Sequence, residues 1–310
     1  MRKFVIRGTC FSVIGIALLF AVNALYIRTN GYKSKDETFR YFLMPRNIQV
    51  ANFGSSHGAY GFDYSGIEGI TGFNFGLPGQ NPHYDLKVLQ QYSERLAEGC
   101  VVIIPISYFT FDQQRDSDNL RRMYYRIIDY GSIYNHKITE YLRLGLLPIL
   151  SASFNAKFII KDKKDISFNL YWLYDYMRIH YTENDIEGFK QNAQGHLDYC
   201  RRITDEGENE EYNTKCLEEM IELCREKGFR PVLITMPFTK YYNDMFSEEF
   251  YADFHAKIDR LCEKYAVPYY DYSRDPRITD NLRLFIDSNH LNYEGSATFT
   301  RMILSDLGLI

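Results

Sequence analysis

The chain has 310 residues, of which 45% are apolar and 25% charged, with a formal net charge of −4 at neutral pH. That length suits one large domain, or one domain with an elaborate insertion. The charge balance gives no reason to expect a nucleic acid as partner, and no residue pattern calls for a cofactor.

The N-terminus departs from this average. Met1-Arg2-Lys3 is cationic, and Gly8 to Ile27 carries no charge. About 20 apolar residues are enough to cross a hydrocarbon core of roughly 30 Å. Two readings compete: a retained anchor helix, or a signal peptide cleaved near Ala21-Val22-Asn23-Ala24. Tyr26, Ile27 and Arg28 have the character of an interfacial end, which favours the anchor, with the remainder of the chain outside the cytoplasmic membrane. Residues 1–29 are therefore read as the anchor and 30–47 as a polar linker with a short helix around Lys35–Leu43.

From residue 48 the punctuation becomes regular. Ile48–Phe53 reads as a strand, and Gly54-Ser55-Ser56-His57-Gly58 follows it. Gly72–Phe75 is a second strand, and His83–Glu98 has helical spacing through Leu86, Leu89, Tyr92 and Leu96. Gly99 then breaks the helix, and Cys100–Ile106 is a fully apolar third strand, as expected where a parallel sheet is covered on both faces. Residues 108–212, rich in Tyr, Arg and Asp, read as a helical insertion. Within it Lys161–Asp165 reads as a solvated turn, and Arg115, Arg121 and Arg122 as a solvated helix face rather than contacts for an anionic glycan. Tyr212–Lys227, Ser247–Tyr265 and Asn292–Leu307 read as helices, alternating with strands at Arg230–Met236 and Val267–Tyr272. This alternation predicts an α/β fold: a three-layer α/β/α domain over 48–310 with a five-stranded, mainly parallel sheet.

The chemistry concentrates at two places. Small residues on a turn at a strand's C-terminal end are where open α/β sheets carry their sites. Near the other end, Asp287 and His290 stand three apart on one short loop before the last helix. A carboxylate so placed can orient the imidazole, which can take a proton from a hydroxyl. His57 either touches substrate or plugs the turn. His83, His136, His180, His196 and His255 have no ligand spacing, so no metal site is expected. Cys100 reads as a small core hydrophobe, and a disulfide among Cys200, Cys216 and Cys224 is left open. The 27 tyrosines and 22 phenylalanines suit a carbohydrate surface but more simply fill a core.

In these residues the chain resembles the SGNH/GDSL hydrolase superfamily. GSSH at 54–57 is similar to its first block, which assigns the nucleophile to Ser56 rather than Ser55, and DSNH at 287–290 to its last, with Asp287 and His290. FNFGLPGQN at 73–81 is similar to the second block, whose glycine N–H helps bind an oxyanion; Gly79 is the first choice and Gly76 the second. The third block departs: PISYFTF at 105–111 has Ser107 where the family has Asn, so Ser107 or Asn81 would have to supply that donor. The likeness covers 48–107 and 228–307 and implies a sheet in the flavodoxin-like order. A membrane-anchored start with these motifs looks most like proteins of teichoic-acid D-alanylation and polysaccharide O-acetylation. That implies an esterase or O-acyltransferase acting on acyl esters of a cell-surface glycan, beside a membrane-bound O-acyltransferase. A catalytically degenerate domain that binds glycan or scaffolds a cell-envelope complex is the alternative, and a cytoplasm-facing lipase-like esterase a third.

Overall fold

The computed structural model describes residues 1–34, 37–115, 118–151, 157–162, 182–204 and 209–310. The chain divides into two compact units, one made of Met1–Leu43 with Asp118–Leu170 and the other of Met44–Ser117 with Tyr171–Ile310. The stretch 108–212, read from the sequence as a single insertion, is therefore shared between them.

The first unit contains helix α1 (Arg2–Arg28), which is long and apolar enough to cross a membrane. Asn23, the strongly polar side chain of that run, is buried. Its amide donates to the Leu146 carbonyl at 3.1 Å and its oxygen accepts the Ile149 N–H at 3.2 Å. Just beyond α1, the Asp162 carboxylate accepts the N–H groups of Asn30 and Gly31 at 2.7 and 2.9 Å. Asp162 is thus more than a solvated charge, while residues 163–165 of the same run lie outside the described residues. Arg121 also departs from the solvated-face reading: it is 1% exposed and pairs with Glu140 at 2.9 Å, whereas Arg122 is largely exposed.

The second unit is built on a parallel sheet of β1 (Ile48–Asn52), β2 (Gly72–Asn74), β3 (Leu96–Pro105), β4 (Arg230–Thr235) and β5 (Tyr269–Asp271), in the order β2-β1-β3-β4-β5. β3 lies at the centre, and Cys100–Ile106 is buried throughout. An uninterrupted apolar run is what a strand hidden on both faces requires. All six cysteines are unpaired. Burial pushes the Cys100 thiol up to about 12, so it serves as an apolar core group.

One boundary differs from expectation. The helix predicted over His83–Glu98 ends early: α3, as counted in this unit after α2 (Ser56–Gly61), spans Pro82–Tyr92 and is followed by a 3-10 turn at Ser93–Arg95. β3 then starts at Leu96, which pairs with Ile48, and Gly99 sits inside the strand at φ +73° rather than before it. Leu96 continues the helical period of Leu86, Leu89 and Tyr92, but its burial against β1 takes it into the sheet. The remaining long helices are α4 (Ile186–Ile203), α5 (Glu210–Glu226), α6 (Glu248–Tyr265) and α7 (Tyr293–Asp306). Side chains cap α3, α4, α6 and α7: Asn81 accepts the Tyr84 N–H at 3.2 Å, Asp185 the Gly188 N–H at 2.9 Å, Ser247 the Phe250 N–H at 3.2 Å, and Asn292 the Gly295 N–H at 2.9 Å.

Candidate active site

The site is built where β1 leaves the sheet. Gly54 adopts φ +98°, and a Cβ there would stand 3.1 Å from the Pro105 ring. A Cβ on Gly58 would lie 2.0 Å from the Phe53 carbonyl oxygen. Both glycines are therefore demanded by the close return of α2 over the end of β1. Asp85 on α3 fixes the start of this turn: its Oδ1 accepts the Gly54 N–H at 2.8 Å and the Gln80 amide at 2.5 Å.

Ser56 is the first residue of α2, and its Oγ lies 2.8 Å from His290 Nε2. His290 Nδ1 lies 2.9 and 3.1 Å from the two oxygens of Asp287. The same carboxylate accepts the N–H groups of Asn289 and His290 at 3.0 and 2.8 Å, so the four-residue loop closes around it. Burial pushes the Asp287 carboxyl up, but the His290 charge and these hydrogen bonds outweigh it and hold the group below its ordinary value. An ionised Asp287 accepts a hydrogen bond from Nδ1–H and so holds the proton on Nδ1, which leaves the Nε2 lone pair to accept the Ser56 hydroxyl. The neighbouring Ser55 Oγ is buried with no hydrogen-bond partner among the described residues.

His57 is 2% exposed and plugs the turn. Its Nδ1 meets Ser107 Oγ at 2.7 Å and its Nε2 meets the Asn289 amide nitrogen at 2.9 Å. Burial first, then the nearby His290 and His196, push its pKa well down, so the ring is neutral. Beyond Asn289 the chain of bonds continues through Ser288 to Asn192 on α4, whose Oδ1 accepts from the Ser288 N–H at 3.0 Å. His57, Asn289 and Ser288, from the same two four-residue motifs, thus form a second, buried chain beside Ser56–His290–Asp287.

The four expected oxyanion donors do not fare alike. The Asn81 amide donates to the carbonyls of Gln114 and Arg115 at 2.9 and 3.0 Å and is not free for a substrate oxygen, whereas Ser107 Oγ, as acceptor from His57 Nδ1, keeps its own hydroxyl proton to donate. Gly76 is a packing glycine whose N–H is taken by Asn74 Oδ1 at 2.9 Å. Gly79, at φ +75°, has its carbonyl held by the Gln113 amide at 2.8 Å, and its N–H has no partner among the described residues. The loops that carry Ser56 and Gly79 are tied together by the Leu77 N–H to the Gly54 carbonyl at 3.1 Å. Ser107→Ala would leave the His57 Nδ1–H buried without an acceptor, a cost of about 1–3 kcal/mol. We expect a lowered thermal midpoint with that loss; an unchanged midpoint would show that the bond contributes nothing.

Several residues of the site carry no signal in the sequence. Asp85 lies in an ordinary helical stretch. His196 on α4 brings its ring centroid within 5.7 Å of both His57 and His290, with Nδ1 3.0 Å from the Tyr242 hydroxyl. Burial, with His290 adding to it, pushes His196 down to about 3. Ser288 and Asn289 were at least adjacent to the Asp-x-x-His pair.

No family model matches this chain, and no curated protein matches it in sequence. Among solved structures, a proposed acylhydrolase from Bacteroides fragilis aligns over 88% of this chain and 95% of its own, at 11% identity and a TM-score of 0.39. A proposed GDSL-like lipase from Parabacteroides merdae aligns over 86% and 98%, at 12% identity and a TM-score of 0.35. The chain itself carries a parallel α/β sheet beside whose strand ends a serine, a histidine and an aspartate stand in one hydrogen-bonded line.

Proposed function

We propose that this chain is a membrane-anchored serine esterase or O-acyltransferase of the SGNH type, acting outside the cytoplasmic membrane on acyl esters, acetyl above all, of a cell-surface glycan. The observation that carries the enzymatic part is the 2.8 Å bond between Ser56 Oγ and His290 Nε2, with Asp287 behind the ring. His290 takes the Ser56 proton as Oγ attacks the ester carbonyl. Asp287 stabilises the imidazolium and holds its tautomer. The Ser56 N–H, at a helix start where no preceding turn supplies an acceptor, and the Gly79 N–H receive the developing negative charge. His290 then returns the proton to the leaving alcohol, and water or a sugar hydroxyl takes the acyl group from Ser56.

The anchor is α1, over residues 1–29, with 30–47 as linker and 48–310 as the SGNH-like domain. Its retention is supported by the hydrogen bonds of Asn23 to residues 146 and 149, which a cleavage near Ala24 would remove. The glycan acceptor, and a membrane-bound O-acyltransferase as partner, follow from the family likeness of the motifs. The engagement of the Asn81 amide, and a serine at 107 where the family has Asn, favour a second reading, a degenerate domain that binds glycan without turning over an ester.

A fluorophosphonate probe separates the two. The full chain in detergent is expected to be labelled at Ser56, located by peptide mass, and Ser56→Ala to be unlabelled. Folded wild-type protein that resists the probe would leave the binding role as the better account.

A further inference from the structure

The three histidines around Ser56 come from distant parts of the chain, yet one ring nitrogen of each lies within 4.8 Å of the other two. In all three rings the Nδ1 edge is already occupied. His290 Nδ1 faces Asp287 at 2.9 Å, His57 Nδ1 faces Ser107 Oγ at 2.7 Å, and His196 Nδ1 lies between the Tyr242 hydroxyl at 3.0 Å and the Cys200 sulfur at 3.5 Å. Each of these partners can accept an Nδ1 proton, and with the proton there the lone pair lies on Nε2. This is the arrangement by which outer groups set the tautomer of metal-binding histidines, the carboxylate–histidine pair being one recurrent form.

We infer that His57, His196 and His290 form a binding site for a divalent transition ion of the zinc type, and that an ion held there switches Ser56 off by occupying the nitrogen that serves as its base. The chemistry of three neutral imidazoles suits Zn²⁺, Co²⁺, Ni²⁺ or Cu²⁺ and not Mg²⁺ or Ca²⁺, which prefer oxygen. Zn–N bonds of about 2.0–2.1 Å put tetrahedral ligand atoms about 3.3 Å apart, so the rings close by up to about 1.5 Å on binding. His196 and His290 are partly exposed and give the ion its way in, with His57 as the buried third ligand. The ion displaces two hydrogen bonds, Asn289 to His57 and Ser56 to His290, while the Nε2 of His196 has no bond to give up among the described residues. Ser56 Oγ or a water completes the fourth position. Inhibition rests on the proposed role of Ser56 as nucleophile; ion binding does not.

The test uses the untagged full chain in detergent with Co²⁺ as the probe, because tetrahedral Co²⁺ absorbs strongly in the visible. One Co²⁺ per chain is expected, displaced by Zn²⁺. His196→Ala should weaken binding by at least about 100-fold, and Tyr242→Phe by about 10–100-fold through the outer shell. His136→Ala, in the other unit, should leave it unchanged. His196→Cys guards against a merely unfolded variant: it should still bind and should add a thiolate-to-cobalt band in the near ultraviolet. Folded wild type without the visible band at millimolar Co²⁺, or with a band indifferent to His196→Ala, overturns the site. In parallel, Zn²⁺ should suppress fluorophosphonate labelling of Ser56 and a chelator should restore it; Co²⁺ bound with labelling undiminished would overturn the switch. Should the chain bind Co²⁺ but never label, the esterase reading fails and the ion site stands.

Discussion

Ser56→Ala and His290→Ala are each expected to lower turnover of a small activated acyl ester by on the order of 10⁴–10⁶-fold, and the double variant to be no worse than either alone. The reason is that the groups act as one unit. Without the imidazole, the Ser56 hydroxyl is a poor nucleophile; without the hydroxyl, His290 has no proton to take. Asp287→Asn should cost about 10⁴-fold, because an amide presents a donor to Nδ1 and favours the wrong tautomer. Asp287 also accepts two backbone N–H groups of its own loop. The Asn variant should therefore be checked for an intact fold by circular dichroism before its rate is read. Losses that multiply in the double variant would mean that Ser56 and His290 act separately, and the proton-transfer account would have to be abandoned.

A large effect on stability is expected at Asp85, through pH. Burial pushes its carboxyl up to about 7, against the Gly54 N–H and the Gln80 amide, which pull it down. In the unfolded chain the same group titrates near 3.9. Between these values the folded state keeps the proton and the unfolded state has released it. The contribution is fully present below about pH 4 and is lost as pH rises through about 7, amounting to about 4 kcal/mol for a difference of roughly three units. Asparagine keeps an acceptor for Gly54 and cannot titrate. Chemical unfolding of both proteins between pH 5 and pH 8 should show Asp85→Asn gaining on the wild type as pH rises, because the other carboxylates cancel in the comparison. Curves that run parallel would mean that Asp85 is ionised throughout. Since Asp85 holds the N–H of Gly54, the same carboxylate links the protonation of the core to the position of the turn that carries Ser56.

Much of the framework is legible without coordinates, because it depends on neighbours in the chain. Cys100–Ile106 announces a strand hidden on both faces, Ser247 and Asn292 announce helix starts, and Asp287 announces the partner of His290, since three residues of loop suffice to bring a carboxylate to an imidazole. Glycines 54 and 58 mark a tight exit from β1, although what they avoid, the Pro105 ring and the Phe53 carbonyl, appears only in the fold. Local pattern misplaces the end of α3 because Leu96 satisfies a helical period and a strand pairing equally well, and only its partner Ile48 decides between them.

The tertiary structure alone decided the rest. Ser56 and His290 are 234 positions apart, and it is the order β2-β1-β3-β4-β5 that sets their loops on one edge of the sheet. Ser107 stands where counting along the strand puts it, yet its hydroxyl turns to His57, a choice made by a side chain from another element. His196 offers no spacing to either of the other histidines, because α4 reaches the site through the packing of Asn192 against Ser288. Residue pattern determines which segments become strands, helices and turns, since those depend on forces a few residues long. Which groups meet across the molecule depends on how the strands are ordered and the helices laid on them, and that is where the donors, the third histidine and the buried Asp85 were settled.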